Sequence, residues 1–391
     1  DIECRVRSFF SGETYKLEKV LKIKDVRLVY APPSYIGEYG GEIDNWMYPR
    51  HTGDFALLRA YIAKDGSSKE FDKKNIPYQS DSFLKISAKG IEDGDFVMVV
   101  GYPGRTNRTI TFNEIKWDIE VGFNEYVKYL KRGIELIDEN TNSSDGSSLK
   151  YRGSKSGYEN YYKTISGQID GAKNFKLIES ENIKWQNFLD YVENKSSKTD
   201  KSFFYELIDL IDQEQQKAIS RRYYGSSSLI SQAKSIYRNA FEREKADSER
   251  KPGYQERDQE RITNRIKRLD YSFDYRVDQA IFLDRLMTYK TFDASLRRPT
   301  YSNLLGLDKS EKIILSKVDE IYSTKYKTSK NFLQMMNMSL NELNKSNDPL
   351  IIFAKETFEE SLKYEKEFEE IGAKRQLLKS KFIKLLKQYY E

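Results

Sequence analysis

One cysteine and one histidine among 391 residues set the first limits. Cys4 alone cannot close a disulfide within the chain, and His51 alone excludes a histidine-rich zinc centre. Neither a metal nor any other cofactor is expected. A Ser-His-Asp or Cys-His device written wholly in this chain would have to use His51. Apolar residues are lean at 38%, and no run of about 18 of them occurs, so the sequence offers no membrane span. Charge of one sign is also missing. The 66 Lys and Arg against 61 Asp and Glu are interleaved and leave a net charge of +5, which is not the footprint of a nucleic-acid binder. The first residue is Asp rather than Met and no signal-type apolar stretch occurs, so a cut start is expected, with room for a lost targeting segment.

Aromatic and charged residues are abundant. With 29 Tyr, 21 Phe and 32% charged residues, the chain is suited to long amphipathic helices joined by aromatic contacts, and its length implies two or three domains. Residues 1–110 read as β. Val26–Tyr30, closed by Ala31-Pro32-Pro33, is one expected strand; Asp54–Ile62, closed by Asp65-Gly66-Ser67-Ser68, is a second. Phe96–Val100, followed by Gly101-Tyr102-Pro103-Gly104, is a third. Strands without intervening helices favour an antiparallel sheet or barrel. From about residue 115 the period changes: Phe204, Leu207, Ile208 and Ile211, and later Leu378, Phe382, Leu385 and Tyr389, each line one helical face. Thr141–Ser148 and Gly225–Ser228 read as inter-helix loops. The expected class is α+β, with a β domain over 1–114 and a mostly helical domain over 115–391.

The densest group of unusual residues runs from Gly37 to Asp54. Its glycines permit positive φ, and Asn45, Trp46, Arg50, His51 and Asp54 lie within ten residues of one another, so it reads as a shaped loop delivering polar groups. A long hairpin connection anchored by Trp46 is the plainer reading. Asp54, set before an apolar run, is by itself a turn residue or an orienting carboxylate. His51 reads as a loop histidine whose ring bonds local backbone, because no Gly-x-Ser-x-Gly nucleophile motif accompanies it. Asn160, taken alone, reads as a helix cap or turn.

Arg27-Leu28-Val29-Tyr30-Ala31-Pro32-Pro33, Ile36-Gly37, Gly40-Gly41, Asp44-Asn45-Trp46 and Pro49-Arg50-His51-Thr52-Gly53-Asp54-Phe55 together closely resemble the hallmark segment of the bacterial dipeptidyl peptidases 7 and 11. Gly101 to Arg108, Tyr158-Glu159-Asn160-Tyr161-Tyr162-Lys163 and Gly253-Tyr254-Gln255-Glu256-Arg257-Asp258 extend the resemblance over the chain. That family consists of serine exopeptidases with a chymotrypsin-like double β-barrel and a large helical domain inserted into it.

The resemblance implies part of such a barrel over 1–114 and a helical cap over 115–391. It makes Asp54 the triad aspartate and gives Asn45, Trp46 and Asn160 the substrate's free α-ammonium. Amide oxygens and an aromatic wall suit a terminal cation. The triad histidine and the serine, in a Gly-Asn-Ser-Gly type turn, belong to segments that do not occur in this sequence. The chain is therefore expected to be an internal fragment, inactive alone, of a periplasmic or cell-surface Gram-negative enzyme that removes dipeptides from oligopeptides and forms a homodimer. Preference at the substrate's second side chain is not legible.

Two other readings stand beside it. One is a non-catalytic peptide-binding or scaffold protein built on the same fold. The other is nucleic-acid binding through Arg221-Arg222-Tyr223-Tyr224 and the basic run Arg261–Arg268. The basic runs read more simply as solvated helix faces with acidic partners one turn away, such as Glu242 with Lys245 and Arg243 with Asp247, so no nucleic-acid partner is expected.

Overall fold

The computed structural model describes residues 2–99, 101, 109–225 and 227–391. They form two compact units: Asp1–Thr111 with Lys379–Glu391, and Phe112–Leu378.

The first unit carries the strands. β1 (Ile2–Phe9) and β2 (Thr14–Leu21) form an antiparallel hairpin with Ile2 opposite Leu21 and Phe9 opposite Thr14. β3 (Asp25–Tyr30), β4 (Leu57–Ile62) and the short β5 (Ile76–Pro77) make an antiparallel sheet in the order β3-β4-β5, and α1 (Ser34–Gly37) is a single turn between β3 and β4. Asp25 anchors this sheet from a buried position. Its carboxylate accepts from the Arg27 guanidinium at 2.7 Å and from Asn75 Nδ2 at 2.9 Å, and the Arg27 contact holds its pKa down to about 2. Arg27 in turn lies 3.8 Å over the Tyr61 ring, tying β3 to β4.

Two strand expectations need correction. β4 begins at Leu57, so Asp54 precedes the strand instead of opening it. The register explains this: Leu57 pairs with Tyr30, and the next residues of the opposing chain are Ala31, Pro32 and Pro33, whose prolines have no N–H to continue the ladder. Residues 96–99 form no strand, because no described strand pairs with them, and Phe96 and Val99 are 91% and 99% exposed. Val100 and Tyr102 to Arg108 lie outside the described residues.

The second unit is helical: α2 (Phe112–Trp117), a π-helical turn (Asp118–Gly122), α3 (Phe123–Asn140), α4 (Ser147–Asn174), α5 (Leu177–Lys195) and α6 (Lys198–Tyr223). Then come α7 (Ser228–Arg243), α8 (Gln259–Ser272), α9 (Tyr275–Lys290), α10 (Pro299–Leu305) and α11 (Glu311–Tyr322). α12 (Ser329–Met336), α13 (Leu340–Asn344), α14 (Pro349–Glu356) and α15 (Phe358–Tyr390) complete it, the last running on past Leu378.

The helix starts are set by short polar side chains. Ser197 accepts from Asp200 N, Asp274 from Arg276 N, and Ser339 and Glu342 form a reciprocal capping box. α7 is capped twice over. Ser227 Oγ accepts from Ile230 N at 3.1 Å, while the buried Asp278 carboxylate of α9 accepts from Ser228 N at 2.7 Å, Ser227 Oγ at 2.8 Å and Tyr322 Oη at 2.6 Å. The expected face of α6 is present, with Phe204, Leu207 and Ile211 buried and Ile208 half-buried. The main core gathers Leu229, Ile236, Phe282, Leu286, Tyr301 and Phe332, and each fully buried side chain of this size contributes about 1.5–3 kcal/mol. Among the described residues no helix is long and apolar enough to cross a membrane.

Candidate functional site

The loop between α1 and β4 is built by tight backbone turns. Gly41 N donates to Glu38 O at 2.9 Å, Asp44 N to Gly40 O at 3.2 Å, and Met47 N to Asp44 O at 3.1 Å. Gly40 has φ +77°, and a Cβ there would collide with the Asp44 carboxylate, so this turn requires glycine. The loop is closed at its base, where Gly53 N donates to Ile36 O at 3.0 Å and Thr52 Oγ1 to Tyr39 O at 2.8 Å.

On this frame the Asn45 side chain is held at both ends. Its Nδ2 donates to Glu42 Oε2 at 2.9 Å, and its Oδ1 accepts from Arg50 Nη1 at 2.9 Å. Arg50 also donates from Nε to Thr52 Oγ1 at 3.2 Å, which links it to the closed base of the loop. Trp46 has φ +61°, a left-handed conformation that costs a non-glycine residue on the order of 1 kcal/mol and that clusters at functional sites. The residue is 64% exposed. A carboxylate, an amide oxygen and an exposed indole face within five residues form a set of groups that attracts a primary ammonium. The sequence marks Arg50 only as one of the loop's polar groups, with no role assigned, and does not mark Glu42. Their spacing of three and five residues from Asn45 was visible, but only the turn geometry makes them partners.

Asp54 and His51 are exposed, and neither makes a side-chain hydrogen bond with another described residue. The expected bonding of the His51 ring to local backbone is therefore not found; the loop's backbone groups are used by its own turns. Asn45, Trp46 and Asp54 share the first unit.

Asn160 belongs to the second unit, in the interior of α4 and not at a cap or turn, and is half-buried. Its carbonyl accepts from Thr164 Oγ1 at 2.8 Å. An aromatic and cationic cluster fixes the surrounding turn of α4. Tyr158 Oη accepts from Arg285 Nη2 at 3.1 Å, Arg285 also bonds Tyr129 Oη and lies 3.9 Å over its ring, and Tyr161 packs 6.3 Å from Tyr126. Arg222 lies 4.4 Å over Tyr126, and burial lowers its pKa. Burial likewise raises the Tyr126 and Tyr129 phenols.

The basic run Arg221-Arg222-Tyr223-Tyr224 is thus largely consumed inside the unit. Glu242 does pair with Lys245 at 3.0 Å, but Arg243 donates to the Met336 and Met338 carbonyls at 3.0 and 2.8 Å and not to Asp247. The Asp247 carboxylate is taken instead by Arg250 at 3.2 Å. Among the described residues no three His, Cys, Asp or Glu side chains converge on a metal site.

With this geometry in hand, comparison with known proteins gives a consistent result. The chain is 35% identical over 392 residues to an Asp/Glu-specific dipeptidyl-peptidase of Shewanella putrefaciens, covering 99% of this chain and 53% of that protein. It is 29% identical over 295 residues to dipeptidyl-peptidase 7 of Capnocytophaga gingivalis, covering 73% of this chain and 40% of that one. Among solved structures, Porphyromonas endodontalis DPP11 in complex with the dipeptide Arg-Glu superposes with a TM-score of 0.71 at 24% identity over 98% of this chain and 55% of that chain. The complex with Arg-Asp gives 0.73 at 23%. These likenesses show a shared α+β fold. The chain spans about half the length of the relatives it matches from end to end. A family model described as Peptidase S46 matches residues 1–391, and the chain belongs to that family.

Proposed function

We propose that this chain is the amino-terminus-recognising part of a serine dipeptidyl aminopeptidase, which removes dipeptides from the free N-terminus of oligopeptides through an acyl-enzyme. The observation that carries this reading is the Glu42–Asn45–Arg50 network inside the segment that most resembles the family. In it the Asn45 amide is oriented between Glu42 and Arg50, Glu42 supplies the counter-charge for the substrate ammonium, and Trp46 walls the site. The family resemblance adds Asn160 as a third such ligand. Asp54 orients a histidine, and that histidine and the nucleophilic serine lie outside these 391 residues, so the chain alone does not hydrolyse peptides.

On this reading the five described strands are part of a chymotrypsin-like barrel over 1–114, the helices over 115–391 are its cap, and the whole protein is a homodimer in the periplasm or at the cell surface of a Gram-negative bacterium. Its partners are peptides and not nucleic acid. The relatives' names support peptide chemistry: one is Asp/Glu-specific, and DPP11 has been solved with the dipeptides Arg-Glu and Arg-Asp. The test is turnover of dipeptidyl reporter substrates, with free and with acetylated amino termini, by the protein encoded by the complete reading frame that contains these residues. Release confined to the free-amine substrates, and lost in Asn45→Ala, is the expected result.

A further inference from the structure

We propose that the helical unit holds a binding site for a small organic acid, with the carboxylate gripped by Lys234, Arg298 and Tyr224 and the apolar body lying against Tyr301 and Phe358. These residues line a cavity of about 610 Å³ between the end of α6, α7, α10, α14 and α15, a size ordinary for small-ligand sites.

The charge arrangement points to the ligand. Tyr224 Oη accepts from Lys234 Nζ at 3.0 Å and from Arg298 Nη1 at 3.1 Å. Both of its lone pairs are then used, and its own proton is left to donate. Because both cations reach one oxygen, they stand no more than about 6 Å apart, where they repel unless an anion joins them. Among the described residues neither has a carboxylate at ion-pair distance. The acids of the same wall are committed elsewhere: Glu365 to Lys251 and to Arg238 at 3.6 Å, and Glu367 to Lys217 at 3.5 Å.

The site is also rigid before any ligand enters. The Arg298 guanidinium is sandwiched 3.8 Å from the Tyr224 ring and 4.3 Å from the Tyr364 ring. Tyr301, 1% exposed, packs edge-on to Tyr224 with ring centroids 4.7 Å apart. Its hydroxyl lies near the Gly225 backbone N–H without reaching hydrogen-bond geometry, a buried polar group that a ligand oxygen would satisfy. Inorganic phosphate would match the cations alone; the aromatic walls call for an organic anion.

The experiment is calorimetric titration of the 391-residue chain with N-acetyl-L-phenylalanine, whose blocked amine gives it no ammonium for the Asn45 loop. N-acetyl-L-phenylalaninamide and inorganic phosphate are the controls. Saturable binding of the acid is expected, weakened about tenfold or more in the amide, in phosphate, in Lys234→Met and in Arg298→Gln. Equal affinity for acid and amide, phosphate binding as tightly as the acid, full binding by Lys234→Met, or no saturation of the wild-type chain by about 10 mM acid would overturn the proposal. Lys234 is only partly buried and caps nothing, so its variant keeps the test sound if Arg298→Gln does not fold. A negative result here leaves the peptidase reading untouched, because no residue is shared.

Discussion

Arg50 donates from Nη1 to the Oδ1 of Asn45 at 2.9 Å, while the other end of the same amide donates to Glu42 at 2.9 Å. The amide is thereby oriented before a substrate arrives, with its oxygen kept toward a donor and its nitrogen toward an acceptor. Asn45→Ala and Glu42→Gln should each lower kcat/KM for free-amine peptides about tenfold to a hundredfold, the worth of a hydrogen bond to a charged group. Arg50→Met should lower it less, by loosening Asn45. Kinetics on free and acetylated peptides in parallel check this, since an equal loss on both would remove the amino-group role.

Asp54 is exposed and free of side-chain partners among the described residues, so its replacement should be cheap for folding. Asp54→Ala in the whole protein should change stability by no more than about 0.5 kcal/mol yet lower kcat by a factor on the order of 10⁴, as expected of a group that orients a catalytic base. Thermal unfolding and turnover measured on the same preparation check both halves. A lowered Tm with unchanged kcat would make Asp54 a structural turn residue.

Gly133 of α3 lies where a Cβ would come within 2.7 Å of Tyr158 Cε2. Tyr158 is two residues before Asn160 on α4 and is held by Arg285. Gly133→Ala should therefore push this turn of α4, costing about 1–3 kcal/mol in overpacking and raising KM for free-amine peptides more than it lowers kcat. Denaturant melts and the separate kinetic constants read the two effects. A stability loss with no change in KM would disconnect Tyr158 from Asn160.

Asp118 sits in the π-helical turn with its pKa pushed up to about 6, first by burial and then by the neighbouring Glu114 carboxylate, against the pull of Arg375 and Arg222. A carboxyl whose folded pKa is raised binds its proton more tightly in the native state, so stability falls as pH rises from about 4 to about 6 and stays lower above. Asp118→Asn removes that penalty. It should raise stability at pH 7.5 by about 1 kcal/mol after solvent screening, and leave it nearly unchanged at pH 4. Chemical denaturation of both proteins at the two pH values decides it.

Local pattern made much of this fold legible. The apolar spacing of Phe204, Leu207 and Ile211 located α6, and Val26 to Tyr30 located most of β3, because each signal lies within one element. What failed depended on partners far along the chain. The start of β4 is set by prolines at positions 32 and 33 of the opposing segment, and residues 96–99 have strand composition without a described strand beside them. The Arg285 to Tyr158 contact, which spans 127 residues, leaves no local trace. In the candidate loop the residue types Asn45, Trp46 and Arg50 stood out, whereas the pairing of Asn45 with Glu42 and Arg50 required the turns that bring them together. The anion-selective cavity was hidden for the same reason, since Lys234 and Arg298 meet only at Tyr224.

The most direct test of the central claim is the product released from a free-amine pentapeptide and from its N-acetyl form by the protein translated from the complete reading frame. Mass spectrometry should find an N-terminal dipeptide from the free peptide only, at a rate cut by Asn45→Ala. Cleavage of both peptides alike, or binding of the free peptide with no dipeptide released, would contradict a dipeptidyl aminopeptidase.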